Sequence, residues 1–369
     1  MERRKFIGAG LVVGGTALAA ACGKKEEKKP AAVAAPKKKK IEWRMTTTWP
    51  KDFPGLGTGA NRLAQYITDM SGGELAVTVY GAGEIVPPFE AFDAVSKGTA
   101  EMGHGAAYYW KGKSPATQFF AAVPFGLTAQ EMNGWIYYGG GQALWDELYA
   151  QFNLKPFLAG NTGVQMGGWF NREIKSLEDM KGLKMRIPGL GGDVVAAIGG
   201  TPKSLPGGEI FTSLQSGAID ATEWVGPYND LAFGLYKAAK YYYYPGWHEP
   251  GTALETFVNK AAFDALPKHL QEVVEGAAQA ANMDMLAEFT ARNGIALNTL
   301  INEHNVQLKR FPDDVLKTLK TTSEEVVSNV AKADAASQKV YSAFVDFRKS
   351  VSGWTALSEM EYVQVRGNL

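Results

Sequence analysis

Apolar positions recur at two different spacings along the chain, and each spacing predicts a different kind of element. Glu74–Tyr80 alternates apolar and polar residues as a strand does, and Ile41–Thr47 is also predicted as a strand. Gly59–Ser71 has apolar residues three and four apart, which predicts an amphipathic helix. Phe89–Lys97 is predicted as a short helix that ends at Gly98. This alternation of strands and helices is typical of an α/β fold with largely parallel sheets.

The last third of the chain has a helical pattern. Leu266–Asn293, Leu297–Leu308 and Pro312–Phe347 each have apolar residues at helical spacing. A long helical C-terminal part is expected either to connect two lobes or to form a dimerisation arm. Phe92–Met102 and Phe211–Ala221 resemble each other as a helix, a glycine and a strand, which agrees with two lobes. A common connection that arises twice explains this similarity equally well.

The first 40 residues have the parts of an export signal followed by a tether. Arg3–Ile7 resembles the twin-arginine export signal of bacteria, and Ala19–Gly23 resembles a lipoprotein cleavage box with Cys22 as the acylated residue. We expect residues 1–22 to be an export and lipoprotein signal, and residues 23–40 to be a disordered linker. An N-terminal anchor helix is the alternative for the apolar stretch.

Composition and charge exclude several classes of protein. The chain is 46% hydrophobic, too apolar for a disordered protein, and it has no long apolar run beyond the N-terminus, as a polytopic membrane protein would. The first 40 residues hold eleven Lys or Arg and three acids, so the rest carries 27 bases and 35 acids, a net charge of −8. We expect no nucleic-acid partner, because binding phosphates needs a basic surface.

Arg186 is a candidate for ligand binding. It lies between Met185 and Ile187 in a short strand predicted within Gly182–Gly189, so its guanidinium is expected in a cleft or an interface. An arginine in a cleft binds a carboxylate through two parallel charge-assisted hydrogen bonds. A structural ion pair with an acid explains the position equally well.

Two acidic residues follow predicted strands. Glu223 ends the segment that begins at Ile219, and Glu249 follows the aromatic strand Tyr241–Tyr244. Ligands of α/β sheets bind outside the carboxyl ends of the strands, where two carboxylates, the Gln165 amide and carbonyl groups would suit a hard cation. The alternative, which the residues alone favour, is a pair of surface acids.

No motif of an enzyme is present. The four histidines have no spacing typical of a zinc site, and no Gly-x-Ser-x-Gly nucleophile turn occurs. Gly55–Gly59 lacks the full pattern of a nucleotide-binding loop and is interpreted as a glycine-rich turn. We therefore expect a protein that is not an enzyme.

Two pairs of motifs resemble a known family. Gly182–Gly189 and Leu214–Ala221 resemble segments of the solute-binding proteins of tripartite ATP-independent periplasmic (TRAP) transporters, a likeness that spans roughly residues 41–340. Glu223–Asp230 and Tyr243–Glu249 resemble the branch that binds 2-oxo or 2-hydroxy monocarboxylates, such as pyruvate or lactate, with a metal ion. The resemblance implies a periplasmic subunit that captures such an acid and delivers it to membrane subunits. The alternatives are a TRAP binding protein for another organic or sugar acid without metal and, less favoured, an α/β enzyme.

The resemblance also implies a two-lobe fold of the kind found in periplasmic binding proteins, with central mixed sheets, a long helix between the lobes and a helical C-terminus. Residues 41–162 and about 254–295 would form lobe I. Residues 163–253 and about 296–335 would form lobe II. Residues 336–369 would be a C-terminal helix that acts as a dimerisation arm, so that a homodimer is expected.

Site residues are carried over from the same resemblance. The residues expected to contact the solute, with Arg186 as the clamp of its carboxylate, are Arg186, Gln165, Tyr109, Asn161, Asn229 and Trp224. The residues expected to hold the cation, sodium or calcium, are Gln165, Glu223, the main chain of Trp224, and Glu249.

Overall fold

The computed structural model of the protein describes residues 40–368. The predicted signal, Cys22 and all of the predicted linker except Lys40 lie outside this range. None of the helices within residues 40–368 has both the length and the apolar character needed to cross a membrane.

The described residues contain two β-sheets. Their eleven strands are β1 (Ile41–Thr47), β2 (Leu75–Tyr80), β3 (Met102–Gly105), β4 (Leu154–Asn161), β5 (Gly168–Phe170), β6 (Lys184–Arg186), β7 (Thr201–Lys203), β8 (Ala221–Thr222), β9 (Tyr241–Tyr244), β10 (Ala253–Asn259) and β11 (Gln307–Arg310). The first sheet has the strand order β2-β1-β3-β10-β4, and the second has the order β11-β9-β5-β8-β6-β7.

Twelve α-helices within the same range surround the sheets. They are α1 (Leu56–Met70), α2 (Ala91–Ser96), α3 (Ala129–Tyr137), α4 (Gly141–Ala150), α5 (Gly189–Ala197), α6 (Gly207–Gln215), α7 (Pro227–Phe233), α8 (Lys260–Asp264), α9 (Lys268–Asn302), α10 (Asp313–Ala331), α11 (Ala335–Thr355) and α12 (Glu361–Asn368). A π-helical turn, Ala356–Met360, joins α11 to α12. The fold is therefore α/β, as the alternating pattern predicts.

Both sheets are mixed, as the family resemblance implies, whereas the alternating pattern alone predicts largely parallel sheets and is corrected on this point. β10 is antiparallel to β3 and β4 in the first sheet, and β5 is antiparallel to β8 and β9 in the second. The chain enters β5 directly from the first sheet and enters β10 directly from the second. These crossings contain no helix between the strands, whereas a helical crossover is the usual connection of parallel neighbours.

Each sheet has a buried apolar cluster of its own. In the first, Leu63 and Ile67 of α1 pack with Met45 of β1. In the second, Val194 of α5 and Leu319 of α10 belong to one cluster. A third cluster includes residues of both sheets, and the candidate site lies beside it.

The C-terminal third is helical, with two corrections. α9 runs without a break from Lys268 to Asn302 and packs on β4, α1 and α7. The predicted helix Leu297–Leu308 is wrong at its end, because Gln307–Arg310 is a strand parallel to β9. Asn305, with a φ of 55°, turns the chain between them.

The long helical pattern of Pro312–Phe347 is divided between two helices. α10 ends at Ala331, and α11 begins after Asp334, whose side chain accepts a hydrogen bond from the Ser337 amide at 2.7 Å. Such a side-chain cap satisfies a main-chain amide of the first helical turn. A new helix can therefore begin although the spacing of apolar residues in the sequence shows no break.

Candidate carboxylate and cation site

The ends of two neighbouring strands bring Arg186 beside Glu223. β6 and β8 are parallel, and Arg186 is in register with Thr222, the residue before Glu223. The guanidinium donates from Nη1 to the Glu223 carboxylate, and both side chains are almost fully buried. The structure thus contains the ion pair that was one of the two interpretations of Arg186.

The remaining nitrogens of Arg186 have different partners. Nε donates to the Leu205 carbonyl at 3.1 Å, and Nη2 donates to the Tyr109 hydroxyl at 3.4 Å. Burial is the largest single influence and lowers the pKa of Arg186, but Glu223, Tyr109 and Tyr108 together raise this pKa above its usual value. The guanidinium therefore stays charged, with one edge on Glu223 and another facing Tyr109.

A tight turn after β9 places Glu249 next to Gln165. A Cβ on Gly246 would lie 2.1 Å from the Gln165 carbonyl oxygen, so only glycine allows this approach. The main-chain amide of Gln165 donates to the main-chain carbonyl of Glu249 at 3.1 Å. Thr252 joins the two side chains, because its hydroxyl donates to Glu249 at 2.6 Å and accepts from Gln165 Nε2 at 3.1 Å.

Oxygen and nitrogen atoms that can bind a cation lie close together beside Gln165 and Glu249. Glu223, His248 and Glu249 each offer a ligand atom, all lie within 4.8 Å of one another, and all three residues are buried. Glu223 Oε2 and Gln165 Oε1 are buried and have no hydrogen-bond partner within residues 40–368. Burial, and then the nearby Glu223 charge, raise the pKa of Glu249. A bound cation would remove this repulsion, so the residues fit a hard cation.

A small cavity lies beside the charged groups. Its lining consists of Trp49, Leu56, Tyr108, Tyr109, Thr162, Gln165, Trp224, Val225, Thr252 and Leu254. The Trp224 ring lies 5.2 Å from the Arg186 guanidinium carbon, and the Trp49 ring lies edge-on to Trp224. The aromatic walls restrict any occupant to a small molecule.

The two asparagines take part in main-chain contacts near the site. Asn161 accepts from the Gly163 amide at 2.8 Å and donates to the Gly251 carbonyl at 3.3 Å. Asn229 donates to the Pro54 carbonyl at 2.8 Å. Among the predicted solute contacts, Arg186, Gln165, Tyr109 and Trp224 are therefore brought together, while Asn161 and Asn229 stabilise the surrounding chain.

His248 and Thr252 are site residues that the sequence did not indicate. His248 directly precedes Glu249, and this adjacency was the only signal in the sequence. A search for zinc spacings does not find it, because its neighbours in the cluster are carboxylates from two separate loops. No pattern in the sequence indicates Thr252.

Comparison with known proteins supports a common origin. Residues 45–334 match the model of the family DctP, bacterial extracellular solute-binding protein, family 7. A monocarboxylate 2-oxoacid-binding periplasmic protein of Nostoc sp. is 47% identical over 322 residues, which cover 87% of this chain and 88% of that protein.

Solved structures have the same fold. A TRAP solute-binding protein of Bordetella bronchiseptica is a mixed-occupancy dimer with calcium and picolinate bound in one active site and an apo site in the other. It has a TM-score of 0.87 at 36% identity, and the match covers 89% of this chain and 98% of that one. A TRAP periplasmic solute-binding protein of Pseudoalteromonas atlantica, with sodium and pyruvate bound, has a TM-score of 0.86 at 42% identity and covers 88% and 99%.

Proposed function

Since the chain belongs to the DctP family of bacterial extracellular solute-binding proteins, we propose that it binds a small 2-oxo or 2-hydroxy monocarboxylate together with a metal cation and delivers it to TRAP membrane subunits. Members of this family bind solutes for transporters, so the chain is a periplasmic binding protein and not an enzyme. The family resemblance predicted from the sequence is confirmed.

One observation carries the choice of ligand. A buried guanidinium and buried oxygen atoms without hydrogen-bond partners inside the described range lie beside one small cavity. Tyr109 and Trp224, which contact Arg186, line this cavity together with Gln165. A small carboxylate has little apolar surface, so its affinity must come from charge and enclosure. Arg186 supplies the positive charge. Its Nη2 donates to the hydroxyl of Tyr109, a residue that lines the cavity.

The cation would be held by Gln165, Glu223, Glu249 and the main chain of Trp224. Their oxygens are the ligands that sodium and calcium prefer, and two carboxylates balance the charge of the ion. When bound, the cation supplies a positive centre that can chelate a carboxylate oxygen and the adjacent 2-oxygen of the acid. Pyruvate and picolinate, found in the related structures, both have a donor atom next to the carboxylate.

Calorimetry on the purified protein tests this proposal. Pyruvate and lactate are titrated with calcium, with sodium and after chelation, and succinate serves as the dicarboxylate comparison. We expect pyruvate or lactate to bind and the affinity to fall after removal of the cation. Unchanged affinity in a Glu223→Gln plus Glu249→Gln variant would favour the alternative, an organic or sugar acid bound without metal.

The N-terminal predictions complete the proposal. An export signal agrees with the periplasmic family, and the motif at Arg3–Ile7 supports export by the twin-arginine route. We propose Cys22 as the site of a lipid anchor, on the basis of its position after three alanines. Such an anchor would keep the binding protein near the membrane subunits.

We also propose a homodimer formed through residues 336–369. Trp354, Leu357 and Tyr362 are exposed and apolar, a pattern typical of an interface. A groove of about 600 Å³ lies beside this segment, between it, α10 and the Val123–Gly126 loop. The two-lobe division predicted from the sequence is likewise retained as a proposal, because each sheet has its own buried cluster.

A further inference from the structure

His248 is a buried imidazole whose hydrogen-bonding groups are not used by the described protein. The residue is 1% exposed, and neither Nδ1 nor Nε2 has a hydrogen-bond partner in residues 40–368. A buried polar group without a partner is unfavourable, because it has lost its hydrogen bonds to water. The position therefore points to a partner that is bound from outside the chain.

The ring lies against the oxygen cluster. His248 Nε2 is 3.5 Å from Glu223 Oε2, an oxygen that is itself without a hydrogen bond to any described residue. One ligand atom each of His248, Glu223 and Glu249 lie within 4.8 Å of one another. Ligand atoms on opposite sides of an ion bound at about 2.0–2.6 Å are about 4–5 Å apart, so one ion can reach all three.

The turn around His248 holds the ring in this place. A Cβ built on Gly191 of α5 would lie 3.0 Å from the His248 Cβ, so the helix approaches the histidine closely. The Trp247 ring packs edge-on against the imidazole at 5.4 Å between ring centres. The neighbouring Glu249 is fixed in turn by Thr252.

We propose that His248 is a nitrogen ligand of the cation site, and that the site consequently accepts a divalent transition-metal ion such as Mn²⁺ or Co²⁺ as well as a hard cation. This inference rests on the cation site of the proposed function. Oxygen ligands alone favour sodium or calcium, whereas one imidazole with two carboxylates suits first-row divalent metals.

The first test uses Mn²⁺ alone and the purified protein after chelation. Pulsed electron paramagnetic resonance of the bound ion reports a directly coordinated nitrogen through its hyperfine coupling. We expect this coupling in the wild type, its loss in His248→Gln, and its retention in His269→Gln. His269 is the matched control, because it is an exposed imidazole that lies 3.2 Å from the Glu74 carboxylate.

The second test compares two metals by titration calorimetry. We expect His248→Gln to weaken Co²⁺ binding by about 10- to 100-fold and to leave Ca²⁺ binding close to that of the wild type. Equal losses for both metals would mean that His248 only positions Glu223, and would overturn the proposal. Absence of nitrogen coupling in the wild type would overturn it without any variant.

A parallel titration separates this inference from the proposed function. If pyruvate binds the wild type with Ca²⁺ but bound Mn²⁺ shows no nitrogen coupling, only the role of His248 is wrong. If neither pyruvate nor lactate binds with any cation, the proposed function fails, whatever the metal spectra show.

Discussion

Arg186 and Glu223 are buried together, at 1% and 0% exposure of their side chains. Taking two charges out of water costs several kcal/mol per ion, and their attraction only partly offsets that penalty. Such a pair adds little to stability, but the loss of one partner leaves the other charge buried and alone. If Arg186 binds the ligand as proposed, ligand affinity and folding stability are coupled at this residue.

Removal of the guanidinium is predicted to have two effects. Arg186→Ala should weaken pyruvate binding by about 2–5 kcal/mol, because the ligand carboxylate loses its charged partner. It should also lower the free energy of unfolding by about 3–5 kcal/mol, because Glu223 remains buried without a counter-charge. Calorimetry and urea unfolding after chelation measure the two effects separately.

A double variant serves as the control. Arg186→Ala combined with Glu223→Gln leaves no uncompensated charge, so its stability should recover toward the wild-type value while the ligand affinity stays low. Arg186→Ala with wild-type stability would show that the buried ion pair is not formed in solution.

His104 gives the protein a sensitivity to acid that is independent of the ligand. The residue is fully buried on β3, its Nδ1 accepts from Trp49 Nε1 at 2.8 Å, and burial lowers its pKa from 6.5 to about 4. Between these values the unfolded chain binds a proton that the folded protein excludes. The stability that depends on a neutral His104 is thus fully present above pH 6.5 and is lost as the pH falls toward 4. This contribution to the free energy of unfolding is about 3 kcal/mol in all.

Urea unfolding at pH 7 and pH 4.5 measures this loss. His104→Gln keeps a hydrogen-bond acceptor for Trp49 but cannot be protonated in this range. We expect the wild type to lose about 2–3 kcal/mol more stability on acidification than the variant does. Equal losses in the two proteins would contradict a neutral, buried His104.

At the scale of elements, the turn between β9 and β10 positions Gln165 and Glu249, two of the proposed cation ligands. Gly246→Ala would place a methyl group against the Gln165 carbonyl, a clash that costs about 1–3 kcal/mol and moves either Gln165 or the turn. We expect Ca²⁺ affinity to fall about tenfold or more, which corresponds to about 1.4 kcal/mol.

Gly208→Ala is the matched control for this substitution. A Cβ at Gly208, on α6, meets no atom within 4 Å, so calcium binding should be unchanged. An unaltered calcium affinity in Gly246→Ala would show that the approach of the turn to Gln165 is not needed for binding.

Elements with a strong local pattern were predictable from the sequence. The strands Ile41–Thr47 and Tyr241–Tyr244 have the predicted bounds. Each contains several apolar or aromatic residues within a few positions, so the local sequence is enough to indicate a strand. The predicted helix Leu297–Leu308 overlaps only the first two residues of Gln307–Arg310, whose pattern is too short to separate a strand from a helix. Its pairing with β9 is a long-range contact that no local pattern contains.

The candidate site was predictable only in part, for a similar reason. The resemblance indicated Arg186, Glu223 and Glu249, and the structure brings them together. Residue types alone could not decide between a ligand clamp and an ion pair for Arg186, because both use the same guanidinium. The sequence does not indicate His248, because the proposed role of this residue depends on neighbours that only the fold brings together.

At the scale of the whole molecule, aromatic and charged contacts join segments that follow strands of the first sheet to helices beside the second. Phe53 stacks on Phe233 at 4.2 Å between ring centres, and Lys111 pairs with Asp193 at 2.8 Å. Tyr109 follows the first sheet's β3, while Arg186 belongs to the second. The site is therefore complete only when both sides meet, which is how a binding protein can couple ligand capture to its shape.

The exposed C-terminal segment leads to the last prediction. Trp354 and Leu357 are 73% and 80% exposed, and burying them in an interface would stabilise a dimer. We expect the wild type to sediment as a dimer and Trp354→Glu plus Leu357→Glu to sediment as a monomer that still binds pyruvate. Ile295→Glu, at a residue of α9 that is 71% exposed, is the matched control and should remain dimeric. A monomeric wild type, or a double variant that stays dimeric, would rule out this segment as the interface.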